Sequence, residues 1–99
     1  MNEFKGTKGP WFISNETDIC NANSDKLGGG IIAQVYDGRD THVSEMDENI
    51  AKANALLISK APELLRTVMR LVERLEENNL GELWAVKMAK ELIKESTEL

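Results

Sequence analysis

The spacing of apolar residues changes near the middle of this chain. In the second half, Leu57, Ala61, Leu64, Leu65, Val68, Leu71, Val72 and Leu75 recur at intervals of three and four and share one side of a helical wheel. That is the pattern of helix buried along one stripe. Pro62 interrupts it, because proline has no amide hydrogen and its ring crowds the carbonyl four residues back. Pro62 therefore reads as the first residue of a new helix, where the missing donor costs nothing. Helices are expected over residues 45–60, 62–77 and about 82–96, with Asn78-Asn79-Leu80-Gly81 separating the last two. Ser44 and Asp47 resemble a capping box, and Glu45, Asp47 and Glu48 suit the positive end of a helix dipole. On the third helix Trp84, Ala85, Met88, Ala89, Leu92 and Ile93 form an apolar side, with Lys87, Lys90, Glu91, Lys94 and Glu95 opposite or flanking it.

The first half reads as strand and turn. Trp11–Ser14 follows Pro10, which is tolerated at a strand start. Asn15-Glu16 supplies a turn, and Thr17–Cys20 a second strand. From Asn21 to Gly30 the sequence favours loop, and Ile31–Tyr36 is the strongest strand segment, rich in β-branched and aromatic residues. The expected fold class is α+β: a small antiparallel β-meander of about three strands followed by two to three amphipathic α-helices. One domain over residues 1–99 is expected, with a lead-in at 1–9, the meander at 10–43 and the helical part at 45–97. Asn54 falls on the wheel with Ile50, Leu57, Ile58 and Ala61, which predicts a buried amide tied to a neighbouring backbone.

Composition narrows the function. The 99 residues carry a formal net charge of −5 with no run of basic residues, which argues against a nucleic acid polymer as partner. A single cysteine, Cys20, excludes an internal disulfide framework and fits a reducing compartment. No apolar run approaches a membrane span, and the opening MNEFKGTKG does not read as a signal peptide, so a cytoplasmic location is expected. Three amphipathic helices and a thin sheet offer more apolar surface than so short a chain readily hides. A homo-oligomer is therefore expected, with Trp84, Met88 and Leu92 at the contact.

Catalysis needs at least two positioned partners, and His42 and Cys20 are the only residues of their kinds. The chain is read as a non-enzyme without cofactor. Asp37, Asp40 and His42 cluster in sequence but lack a fourth ligand, so no metal site is assigned. Gly28-Gly29-Gly30 precedes a strand instead of a helix and lacks the GxGxxG spacing, which excludes a dinucleotide fingerprint. Its amides could still face a phosphate, Arg39 could add a bidentate contact, and Trp11 or Tyr36 could stack on a base. Trp11, Tyr36, Arg39, Gly28, Gly29 and Gly30 are the candidate residues for a small anionic, nucleotide-like ligand.

Two stretches carry a resemblance. Thr7-Lys8-Gly9-Pro10-Trp11 resembles the TPGPW opening of a widespread group of small phage and prophage proteins. Residues 53–65, ANALLISKAPELL, are similar to that group's ANARLIAAAPELL segment. Lys8 stands where proline is usual and Leu56 where arginine is usual. The resemblance implies a phage-encoded accessory protein acting in the host cytoplasm. By analogy with phage sponges, which are small, non-enzymatic and oligomeric, the expected function is sequestration of a small host molecule. A nucleotide signal of an anti-phage defence system is the ligand that analogy suggests. The alternative is an adaptor that inhibits or redirects a host protein through its C-terminal helix, which an exposed Trp84–Met88–Leu92 stripe would favour.

Overall fold

In the computed structural model, which describes residues 3–21, 30–36 and 48–99, the chain has the expected α+β architecture. Strands β1 (Trp11–Ser14), β2 (Asp18–Asn21) and β3 (Ile31–Gln34) precede helices α1 (Glu48–Ser59), α2 (Ala61–Glu77) and α3 (Trp84–Thr97). The strands form one antiparallel sheet in the order β1-β2-β3. β1 falls where the pattern places it, β2 is one residue later, and β3 stops two residues short of Tyr36. The Ser44–Asp47 capping box and the Asp37, Asp40 and His42 group lie outside the described residues.

The described residues divide into two compact units. The first spans Thr7–Pro62 and carries the sheet and α1. Asn15 and Glu16 both take positive φ, 52° and 70°, and the Thr17 N–H donates to the Asn15 carbonyl (2.8 Å). Asparagine visits this left-handed region more readily than most residues, which suits it to the turn between β1 and β2. A register shift at Ile19/Cys20 then bends β2 against β3. Helix α1 packs on β1 and β2. Its buried positions are Ala51, Ala55 and Ser59, four residues apart, and Ile19 of β2 is wholly buried in the same unit. Small side chains let the helix backbone approach the sheet closely, and the Ser59 hydroxyl donates to the Leu56 carbonyl (2.7 Å).

This seam overturns one expectation. Asn54 is exposed, as are Leu56, Leu57 and Ile58. The wheel gives weight to large apolar residues, whereas α1 meets the sheet through its alanines. The predicted burial of the Asn54 amide is therefore incorrect.

The second unit contains Glu63–Leu99, a hairpin of two helices. Val72 of α2 and Val86 and Ile93 of α3 form its buried centre, with Leu65, Val68, Met69, Leu75 and Ala89 packed around them. Helix α2 begins at Ala61, so Pro62 sits in the first turn, where its missing N–H leaves no gap. The helix ends as Asn78-Asn79-Leu80 predicts. Asn79 takes φ 61°, the Asn79 N–H donates to the Glu76 carbonyl (3.1 Å), and the Leu80 N–H donates to the Leu75 carbonyl (2.8 Å). These two bonds are those of a Schellman motif, which satisfies carbonyls that the helix end leaves open. The Asn78 side-chain amide donates to the Arg74 carbonyl (2.7 Å) as well.

Candidate functional site

Of the six ligand-site residues suggested by sequence, Trp11 opens β1 and Gly30 and Tyr36 flank β3; Arg39, Gly28 and Gly29 lie outside the described residues. Trp11 pairs with Asn21, whose N–H donates to the Gly30 carbonyl (2.7 Å). Trp11 and Gly30 thus occupy the same end of the sheet. Gly30 has φ 94°, a conformation that side chains other than glycine's rarely allow. The Trp11 indole N–H donates to the Thr7 carbonyl (3.1 Å), and the Gly9–Pro10 peptide bond is cis. That hydrogen bond folds the Thr7–Trp11 segment back on itself, so the indole edge serves the turn.

Tyr36 belongs to the other end. Gln34 pairs with Asp18, and the Val35 N–H donates to the Thr17 carbonyl (2.9 Å). The length of β3 alone separates the two ends by roughly 10 Å, and β2 lies between the strands that carry the two rings. Trp11 and Tyr36 do not form one stacking site. The Tyr36 residue is half exposed, at 50%.

The hairpin of α2 and α3 presents more. Helix α3 turns Val86, Ile93 and Thr97 inward and leaves Trp84, Met88 and Leu92 outside. Trp84 is 75% exposed, the largest exposed aromatic surface among the described residues. It precedes Ile93 by nine residues, about half a turn round the wheel, so it stands opposite the buried seam. Glu91 and Glu95 follow it by seven and eleven residues and return to within about 20° of the same line. Neither has an ion-pair partner among the described residues. The neighbours of Trp84 on the helix surface are Lys87 and Met88, three and four residues on, and the two glutamates stand roughly 10 and 16 Å further along the same line. The apolar side predicted for α3 is thus split: Ala89 and Ile93 face inward, and Trp84, Ala85, Met88 and Leu92 do not.

An open depression of about 440 Å³ lies beside α3, lined among others by Glu82, Lys87, Lys90, Glu91, Lys94 and Glu98. Its three lysines meet equal numbers of glutamates. Lys87 pairs with Glu82 (3.3 Å) and Lys90 with Glu76 (3.0 Å). Such a balanced, solvent-screened surface does not concentrate field on an anion. Among the described residues no group of His, Cys, Asp and Glu is arranged to hold a metal ion.

Comparison with known families settles what kind of protein this is. The family described as Salmonella phage P22 protein Y8K6 matches residues 1–97. The chain belongs to that family. Its two units therefore both fall within the phage P22 Y8K6 family, from the Trp11 turn to the exposed edge of α3. No curated protein and no solved structure matches the chain. No described helix of this family member is long and apolar enough to cross a membrane.

Two features of the surface escape sequence reasoning. Leu64 and Leu71 belong to the stripe predicted to be buried, yet both are exposed. The signal lay in the width of that stripe. One neighbouring helix covers a narrow seam, here Leu65, Val68, Val72 and Leu75, and the flank at Leu64 and Leu71 stays outside.

Proposed function

We propose that this phage protein is a non-enzymatic adaptor that engages a host protein through the outer edge of α3. The observation that carries the reading is the 75% exposed Trp84, held on a helix whose other face is anchored by Val86 and Ile93. Exposed tryptophan on a rigid element is the kind of side chain that dominates binding energy at protein interfaces. Glu91 and Glu95, roughly 10 and 16 Å along the helix from it, favour a host partner whose basic residues lie beyond the pocket that takes the indole. The resemblance of Thr7–Trp11 and residues 53–65 to recurring segments of small phage and prophage proteins supports an accessory role in the host cytoplasm.

The test is a purified-component titration. The full chain isolates its partner from host extract, the partner is identified and purified, and affinity is then measured. Trp84→Ala is expected to weaken binding at least tenfold, or more than about 1.4 kcal/mol, while leaving the folded protein's circular dichroism unchanged. The double variant Glu91→Lys/Glu95→Lys is expected to slow association and to flatten its dependence on salt. Equal affinity of wild type and Trp84→Ala for the purified partner contradicts the proposal.

A second reading is sequestration of a small anionic, nucleotide-like ligand. Its support is the convergence of Trp11 and Gly30 at one end of the sheet. Calorimetry with cyclic nucleotides and ADP-ribose derivatives is expected, on this reading, to give tight binding that Trp11→Ala weakens, with the ligand recovered intact. No binding to any of them removes this reading, and a cleaved product shows an enzyme.

A further inference from the structure

We draw no further inference here: the strongest candidate, the surface patch that Leu64, Leu71, Met88 and Leu92 form on one side of the α2–α3 hairpin, also carries Arg74 and Glu95, and nothing in the structure shows what covers it.

Discussion

Replacing Ile19 by alanine is expected to remove about 2–5 kcal/mol of stability, a large share of what a domain of this size possesses. Ile19 is the only large side chain of the sheet unit that is wholly buried among the described residues. It sits on the central strand, paired with Ile13 on one side and Ala33 on the other, in a sheet only three strands wide. The helix laid over that sheet presents Ala51 and Ala55, whose methyl groups cannot extend to fill a cavity. Collapse around the lost atoms is therefore limited, and the cost falls toward the upper part of the range. Urea denaturation followed by far-ultraviolet circular dichroism measures it. The midpoint is expected to drop with the slope retained. A loss below about 1 kcal/mol contradicts the packing of α1 on β2, since a collapsible or solvated site is what gives so small an effect.

The second large effect belongs to the hairpin. Val86→Asp is expected to cost on the order of 3–5 kcal/mol, the penalty for a carboxylate left unpaired in an apolar seam. Val86 is 1% exposed and touches the cluster formed by Val72 and Ile93. Lys87 and Lys90 lie on the same helix but point away and already pair with Glu82 and Glu76. Trp84, two residues earlier, supplies the control: Trp84→Ala should shift stability by no more than about 0.5 kcal/mol, as is usual for exposed sites. Thermal melting of the two variants side by side reads the difference. If Val86→Asp melts with wild type, or Trp84→Ala unfolds, the inward and outward faces of α3 are reversed.

The contrast between Trp84 and Val86 bears on how far the sequence can be read. Trp84 has the larger apolar area to bury, and the helical wheel places it on the apolar side. The structure buries the smaller Val86, because a neighbouring helix covers a seam near the line of Val86, Ala89 and Ile93, and Trp84 lies across the helix from it. The same logic exposes Leu64 and Leu71 while Leu65 and Val72 pack. Asn54 follows from it too. Its burial was predicted from the company of Ile50 and Leu57, but α1 approaches the sheet through alanine and serine.

What the sequence by itself determined was local. The β-branched run at Ile31, the Pro62 break and the paired asparagines at 78 and 79 each act through backbone preferences that need no distant partner, so strands, helices and the helix stop could be read directly. The α+β class followed, because short strand segments bounded by turns come first and amphipathic helices after them. The tertiary structure decided which flank of each apolar stripe is covered. Periodicity gives the direction of a face, but its covered width depends on the size and number of neighbours, which no single helix encodes. For this phage protein that decision left Trp84, Leu64, Leu71, Met88 and Leu92 outside the covered seams. It also parted Trp11 from Tyr36, since strand pairing fixes the ends of the sheet at which the two rings stand.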